Sequence, residues 1–332
     1  MTAKKNILIT GGSGYIGSCL VSLLSKKYSI SIIDKNRKSK FVKNNNFFLL
    51  DLKNKKKLHK LLKLIKPEFI IHLAGQSTID MVEINKKDYF SNNYTATKNL
   101  IECMEKLKIP NLIFSSTAAV YKKQNREINE NTKIYSNNSY GVSKIKCENI
   151  IKKINPKITK FCILRFFNVA SSVTKNNIGE FHSPETHLIP LIINSLFKRK
   201  TINVYGNNYP TIDGTCLRDY IHILDILRGI EKSITYLSKK NSRSNIFNLG
   251  SGKCYSVQEI INCAIRITKL NTKIIYKKKR KYDASKLSCD IKKAGRVLGW
   301  KPLHSNIKKI IKDEISWYKY LNKNKYFRKY IY

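Results

Sequence analysis

The sequence predicts an α/β protein in which a Rossmann-type, doubly wound parallel sheet is combined with a smaller C-terminal α/β substrate lobe. Up to about residue 165, short β-branched apolar runs alternate with amphipathic stretches, which is typical of a parallel sheet covered by helices on both faces. A glycine-rich segment follows the first run directly. The length of 332 residues allows two lobes that share a cleft.

The individual elements follow from apolar periodicity. The predicted strands lie at 6–10, 29–34, 47–50, 69–73, 111–115, 159–165, 202–204 and 245–248. The predicted helices lie at 14–27, 54–65, 86–107, 139–154, 186–198, 224–239, 256–268 and 304–322. We place a Rossmann domain at 1–171 plus roughly 220–250, and the smaller substrate lobe at 172–219 plus 251–332.

The charge balance is extreme, with 64 Lys and Arg residues against 22 Asp and Glu residues, a formal charge of +42. Such a charge first suggests a polyanionic partner. However, the lysines are spread along the chain, and no basic region with interleaved aromatic residues resembles a nucleic-acid-binding module. The abundance of Lys, Asn, Ile, Tyr and Phe reflects codons rich in A and T. We therefore expect no nucleic-acid partner.

The eight cysteines form no CxxC pair and lie mostly in apolar segments, as buried small hydrophobic residues do. This pattern indicates a reducing compartment. The first strand begins close to Met1, which leaves no room for a signal peptide, and no apolar run approaches the ~18 residues that a membrane span requires. We expect a cytoplasmic protein with no membrane partner, and we assign no metal ligands.

A dinucleotide-binding fingerprint lies between the first strand and the first helix. Gly11, Gly14 and Gly17 are spaced by three residues, so a pyrophosphate can approach the backbone closely at a helix N-terminus. The second strand ends in Asp34, where a carboxylate can accept hydrogen bonds from the adenosine ribose. Because that carboxylate would repel a 2′-phosphate, we expect NAD rather than NADP.

The candidate catalytic groups are Tyr140, Lys144 and Thr117. Tyr140 and Lys144 are four residues apart, so a helix places them on one face. A phenol has an ordinary pKa of ~10, and a nearby ammonium group favours the phenolate that a general base requires. Thr117 follows the strand at 111–115, at the edge of the sheet where α/β proteins bind ligands.

Together, these residues resemble the extended short-chain dehydrogenases/reductases. In that family the Ser or Thr positions a sugar hydroxyl, the Tyr exchanges its proton, and the Lys tunes the Tyr and binds the nicotinamide ribose. The segments at 165–170, 182–190, 209–222, 248–252 and 299–302 resemble the UDP-glucose 4-epimerases within the family. The resemblance therefore runs nearly from end to end.

The resemblance implies reversible 4-epimerisation of UDP-glucose and UDP-galactose through a 4-keto intermediate, with transient hydride transfer to bound NAD, in a homodimer. It adds further residues to the cofactor site: Tyr15, Ile16, Asp51, Leu52, Leu73, Ala74, Gly75, Asn92 and Phe167. It assigns these residues to the sugar-nucleotide site: Asn168, His187, Leu188, Asn203, Val204, Tyr205, Arg218, Tyr220, Arg280 and Asp283.

Three alternatives remain open at this stage. A sugar-nucleotide 4,6-dehydratase has an Asp-Glu pair directly after the Ser or Thr, where this chain has Ala118 and Ala119. A UDP-glucuronate decarboxylase matches the later motifs less well. An epimerase for N-acetylated UDP-sugars differs at a pocket position aligned to Leu287, which is intermediate in size. The chain also departs from the family pattern at 76–81, where Ser77 occupies a position that is a cofactor-contacting Lys in some epimerases.

Overall fold

A computed structural model describes residues 4–42, 46–76, 89–124, 126–182, 184–280 and 283–324. Its main feature is a seven-stranded sheet in which every neighbouring pair is parallel. The strands are β1 Asn6–Thr10, β2 Ser29–Asp34, β3 Phe47–Leu49, β4 Phe69–His72, β5 Asn111–Thr117, β6 Lys160–Phe166 and β10 Asn245–Leu249. They follow the order β10-β6-β5-β4-β1-β2-β3. Because the order reverses between β1 and β4, a crevice opens at the carboxyl ends of these strands.

Alternate residues of the strands pack into hydrophobic cores on opposite faces of the sheet. Ile7 and Ile9 of β1 face one core, and Leu8 faces the other. The first core is covered by α1 Tyr15–Leu24, α6 Ile223–Leu237 and α8 Lys292–Leu298. The second is covered by α2 Lys55–Ile65, α3 Ala96–Lys106 and α4 Ser139–Ile151. This arrangement confirms the predicted Rossmann-type fold.

The later part of the chain builds two smaller sheets and a third core. Strands β7 Asn168–Ala170, β9 Leu217–His222, β11 Cys254–Ser256 and β13 Lys286–Leu287 form a four-stranded sheet. Strands β8 Ile202–Tyr205 and β12 Ile274–Lys277 pair in parallel. Helices α5 Leu188–Lys198, α7 Val257–Thr268 and α9 Ile307–Lys323 contribute to the third core. Among the described residues, no helix has the length and apolar character needed to cross a bilayer.

The predicted elements are present, with boundary shifts of a few residues, and several short elements were missed. The predicted helix at 86–107 is a π-helical segment, Phe90–Thr95, that continues into α3, and its predicted start lies outside the described residues. Strands β7, β9, β11, β12 and β13 and helix α8 were not predicted, because they contain two to seven residues and carry little periodic signal. The division into two domains stays a prediction.

Candidate active site

A cavity of about 930 Å³ opens at the carboxyl edge of the large sheet. Its volume lies within the range of small-molecule and cofactor sites. The glycine-rich loop, the first two turns of α4, and Arg218 and Tyr220 of the smaller sheet all line it. The topology therefore brings the three predicted parts of the site together in one cavity.

The glycine loop has the geometry of a phosphate cradle. Gly11 has a φ of +75°, and a Cβ there would lie 2.6 Å from the backbone nitrogen of Ala74. The N-cap of α1 is Gly14, so no side chain caps the first turn, and its amide groups remain available to an anion. Asp34 is held beside the loop because its carboxylate accepts the backbone N–H of Ser13 at 2.9 Å. These donors and this carboxylate suit the pyrophosphate and ribose of NAD.

The full set of predicted cofactor residues divides into two groups. Those that line the cavity are Gly11, Gly14, Tyr15, Ile16, Gly17, Leu73, Gly75, Tyr140, Lys144 and Phe167. Those that lie outside its lining are Asp34, Asp51, Leu52, Ala74 and Asn92. Ser77 falls outside the described residues.

The first two turns of α4 hold Tyr140 and Lys144 in the wall of the cavity. The helix is capped by Asn138, whose side chain accepts the N–H of Gly141 at 2.6 Å. Burial raises the pKa of Tyr140 to about 12, although a hydrogen bond with Thr117 opposes this rise. Burial lowers the pKa of Lys144, whose Nζ donates to the carbonyl oxygen of Ser115 at 2.8 Å. The Tyr140 phenol and the Thr117 hydroxyl are thus hydrogen-bonded to each other, and Lys144 lies one turn further along the same helix.

Asn93, in the π-helical segment, supports this wall and was missed in the sequence. Its buried side chain accepts the N–H of Gln76 at 2.8 Å and donates to Ser143 at 2.9 Å. It therefore joins the loop after β4 to the catalytic helix. The predicted residue, Asn92, instead donates to the side chain of Gln76 at 3.1 Å. π-helical turns are frequent at functional sites.

A buried ion pair lies beneath the catalytic helix. Glu148 is one turn beyond Lys144, and its carboxylate accepts Arg165 Nη2 at 2.6 Å and Nε at 2.9 Å. Ser116 donates to the same carboxylate at 2.6 Å, and Arg165 donates to the Tyr121 hydroxyl at 2.7 Å. These contacts join α4 to β5 and β6. A repeat of four from Tyr140 to Lys144 to Glu148 was the available sequence signal.

Most of the predicted sugar-nucleotide residues line the same cavity. Arg218 donates to the carboxylate of Asp283, and its guanidinium is mostly buried. The predicted residues that line the cavity are Thr117, Asn168, His187, Leu188, Arg218, Tyr220 and Asp283. Those that lie outside its lining are Asn203, Val204, Tyr205 and Arg280. Val204 packs in the third core, and the Arg280 guanidinium lies over the Tyr205 ring at 4.6 Å.

The segment before α5 adds a charged cluster to the rim of the cavity. His187 Nδ1 lies 2.8 Å from Glu180, and His182 Nε2 lies 3.2 Å from Glu185. Burial alone would raise the pKa of Glu180, but hydrogen bonds with His182 and His187 lower it to about 2. Hydrogen bonds with Glu180 and Glu185 raise the pKa of His182 to about 10. Of these four residues, the sequence predicted a site role only for His187.

Comparison with known proteins identifies the class. The model of the NAD dependent epimerase/dehydratase family matches residues 7–250. The chain therefore belongs to the NAD dependent epimerase/dehydratase family.

Relatives that match nearly the whole chain narrow this class. The chain is 33% identical to the UDP-glucose 4-epimerase of Lacticaseibacillus casei, over 94% of this chain and 96% of that protein. The crystal structure of the Brucella ovis UDP-glucose 4-epimerase in complex with NAD is similar with a TM-score of 0.88 and 28% identity, covering 94% of this chain and 97% of that chain. The Bifidobacterium longum enzyme in complex with NAD+ and UDP is similar with a TM-score of 0.86 and 27% identity, over 95% and 98%. The predicted resemblance to UDP-glucose 4-epimerases is confirmed.

Proposed function

We propose that this protein is an NAD-dependent enzyme that interconverts UDP-glucose and UDP-galactose by inverting C4. The observation that carries the proposal is that three kinds of group line one cavity. They are a phosphate-binding glycine loop, the catalytic candidates Tyr140, Lys144 and Thr117, and Arg218. This combination suits a dinucleotide and a sugar nucleotide that meet at the catalytic tyrosine. Relatives crystallised with NAD and UDP support the same pairing of ligands.

In this proposal the chain positions the sugar and moves one proton. The glycine loop holds the pyrophosphate of NAD, and Asp34 accepts hydrogen bonds from its ribose. NAD held in this site would supply the hydride acceptor and donor for oxidation and re-reduction at C4 of the sugar. Tyr140 takes the proton of the 4-hydroxyl group and later returns it. Burial disfavours the phenolate form of Tyr140, and in this proposal the positive charges of Lys144 and of the bound nicotinamide favour it during the reaction.

Arg218 grips the diphosphate, so the nucleotide stays bound while the pyranose turns over. A planar guanidinium can bind phosphate oxygens bidentately. Arg218 is oriented by Asp283, so the clamp is formed before the ligand enters. Tyr220 and Asn168 lie on neighbouring strands, at paired positions of β9 and β7. Retention through UDP leaves the hexose free to present either face.

The residues after Thr117 distinguish epimerisation from dehydration. Ala118 and Ala119 line the cavity and offer no acid or base to remove the 6-hydroxyl group. UDP-glucose labelled with deuterium at C4 should therefore yield UDP-galactose with the label retained on C4. In heavy water, no solvent deuterium should enter C5. A 4-keto-6-deoxy product, or deuterium at C5, would contradict the proposal in favour of a dehydratase.

NAD should remain bound during purification, because the cofactor is regenerated in each cycle. Denaturation of the purified protein should release about one NAD per chain, since the cavity encloses a single glycine fingerprint. A chain purified without NAD that gains no activity when NAD is added would refute the cofactor assignment. Assays with the N-acetylated UDP-sugars, run in parallel, decide whether those substrates are accepted.

The proposal includes a homodimer in the cytoplasm. Helices α3 and α4 and the π-helical segment are the expected contact surface, because amphipathic helices with a second apolar stripe need a partner to bury it. Light scattering at micromolar concentration should give the mass of two chains. A monomer at that concentration would exclude the dimer. Fractionation of cells that express the native chain tests the location.

A further inference from the structure

Four potential metal ligands converge at the rim of the cavity, in the segment between β7 and α5. They are the side chains of Glu180, His182, Glu185 and His187, and one ligand atom of each lies within 4.8 Å of the others. The proton transfer assigned to Tyr140 does not use them. We propose that these four side chains bind one Zn²⁺ ion. No metal ligands are predicted from the sequence, so the zinc site rests on the structure alone.

The distances between the ligand atoms match a tetrahedral site. His182 Nε2 lies 3.3 Å from His187 Nδ1, 3.5 Å from Glu180 Oε1 and 3.2 Å from Glu185 Oε1. His187 Nδ1 lies 2.8 Å from Glu180 Oε1 and 3.6 Å from Glu185 Oε1. Zinc binds imidazole nitrogen and carboxylate oxygen at about 2.0–2.2 Å, so the ligand atoms of a regular tetrahedron are about 3.4 Å apart. The four atoms are therefore already close to the spacing that zinc requires.

The contacts around the cluster orient the ligands. His182 Nδ1 lies 2.8 Å from the carbonyl oxygen of Pro184, which can only accept, so Nδ1 carries the proton. Nε2 faces the cluster and would coordinate zinc after losing its proton to solvent, and a backbone carbonyl is a common partner for the second nitrogen of a zinc-bound imidazole. The backbone N–H groups of Thr186 and His187 both donate to Glu185 Oε1 at 2.8 Å. The carboxylate is thus held before any ion arrives.

The charge and donor types of the cluster favour zinc over other common divalent cations. Zinc would displace a proton from each imidazole on binding, and two carboxylates with two neutral imidazoles then carry a charge of −2, which one Zn²⁺ ion balances. Calcium and magnesium prefer six or more oxygen ligands, whereas this cluster offers two nitrogens and two oxygens.

The expected role of the ion is to fix one wall of the cavity. Glu180, His182 and His187 line the cavity, and His187 is the N-cap of α5. Trp317 donates to the backbone oxygen of Glu180 at 2.6 Å, so the first ligand is anchored to α9. A zinc ion would cross-link this anchored residue to His187 at the start of α5. The site is therefore structural, beside the substrate and outside the proton-transfer chemistry.

The experiment measures zinc binding directly in the full chain without a polyhistidine tag. The protein is stripped with a chelator, exposed to excess zinc sulfate, desalted and analysed by elemental mass spectrometry. We expect about one zinc per chain, as a four-ligand site predicts. Substitution with Co²⁺ should produce the visible absorption bands of tetrahedral cobalt. The zinc dissociation constant is obtained by competition with a chromophoric chelator.

Variants locate the site. His182→Ala removes a partly exposed ring and should weaken zinc binding at least ~10-fold. Glu180→Gln should also weaken zinc binding. Circular dichroism should be used to check that this variant folds. His59→Ala, on α2 and outside the cluster, is the matched control and should bind zinc like the native chain. Zinc should raise the melting temperature of the native chain and of His59→Ala, but not that of His182→Ala.

Two results would overturn the proposal. If the native chain retains no zinc after desalting, the cluster is an ion-paired network of protonated histidines and carboxylates. If His182→Ala and Glu180→Gln bind zinc as tightly as the native chain, the ion lies elsewhere, for example at the cysteine thiols. Neither result depends on enzymatic activity, so the zinc site is tested independently of the proposed epimerase function.

Discussion

Two arginine–carboxylate pairs of the protein lie in very different surroundings. In the pair of Arg165 with Glu148, beneath the catalytic helix, both side chains are only 1% exposed. In the pair of Arg218 with Asp283, which faces the cavity, they are 11% and 27% exposed. The first pair also binds Ser116 and Tyr121, so its remaining hydrogen-bonding groups are satisfied within the protein.

The difference indicates two uses of the same chemistry. Charges that are fully removed from water must stay paired, because an unpaired buried charge is strongly destabilising. The Arg165 pair is therefore a permanent support for the wall that carries Tyr140 and Lys144. A partly exposed pair costs less to break. The Arg218 pair can therefore exchange its carboxylate for a phosphate, and it keeps the guanidinium aimed into the cavity until then.

The largest expected effect is on stability, from Glu148→Gln. This change leaves the Arg165 charge buried without a partner, and we expect a loss of about 3–5 kcal/mol in the free energy of unfolding. Asp283→Asn should lose less than about 1 kcal/mol, as partly exposed pairs do. Urea unfolding followed by the fluorescence of the two buried tryptophans measures both. Equal losses in the two variants would contradict the comparison.

A double variant provides the control for this result. Arg165→Met combined with Glu148→Met removes both charges and fills the space with apolar atoms. It should be more stable than Glu148→Gln alone, since an apolar replacement of a buried pair is often neutral. If the double variant is the less stable of the two, the pair contributes through its hydrogen-bond network rather than through charge balance.

The largest loss of turnover should come from substitution of the buried Tyr140. Tyr140→Phe should lower kcat at least ~100-fold, the usual scale for the loss of a general acid/base, and should leave NAD bound. Tyr135→Phe is the matched control, because Tyr135 also lines the cavity but is 55% exposed. It should change kcat less than about twofold, since no proton transfer is assigned to it. A Tyr140→Phe variant with the native rate would exclude Tyr140 as the base.

The largest loss of substrate binding should come from substitution of Arg218, in the more exposed of the two pairs. Arg218→Met removes charged hydrogen bonds worth about 1.5–3 kcal/mol, so KM for UDP-glucose should rise roughly 10- to 100-fold, with a smaller change in kcat. Arg218→Lys keeps the charge but loses the planar set of N–H donors. Its KM for UDP-glucose should therefore lie between those of Arg218→Met and the native enzyme. Steady-state kinetics with both UDP-sugars tests this. A loss confined to kcat would place Arg218 in the chemical step instead.

The buried imidazole of His72 should also make the folded protein less stable in acid. Burial, together with the charge of Lys144, lowers the pKa of this imidazole from its ordinary 6.5 to about 3. Between these values the unfolded chain binds a proton that the folded chain does not, so this contribution to stability is lost as the pH falls. At pH 5 the loss relative to neutral pH is about 2 kcal/mol. His72→Gln should reduce the difference between unfolding free energies at pH 7 and pH 5, and an unchanged difference would refute the assignment.

Part of the site could be predicted from the sequence because the residues involved are close together along the chain. The glycine fingerprint, the strand that ends in Asp34, and the Tyr140–Lys144 pair each depend on the periodicity of one strand, turn or helix. β1 and β2 have the predicted bounds. The side chain of Thr117 was predicted at a strand end, and β5 does end there, although the strand is longer than expected. Local backbone geometry is sufficient to place all of these residues.

Other parts depend on which elements meet, and only the tertiary structure decides that. Parallel pairing of β5 with β6 places Ser116 opposite Arg165, and this register brings both to Glu148. Asn93, in the π-helical segment, contacts both Gln76 and Ser143, which lie far from it along the chain. The cluster of Glu180, His182, Glu185 and His187 lies in a short stretch, yet its tetrahedral spacing comes from an irregular segment anchored on Trp317. Periodicity along the chain determines the elements, whereas distances between remote side chains depend on register and packing, which no single segment contains.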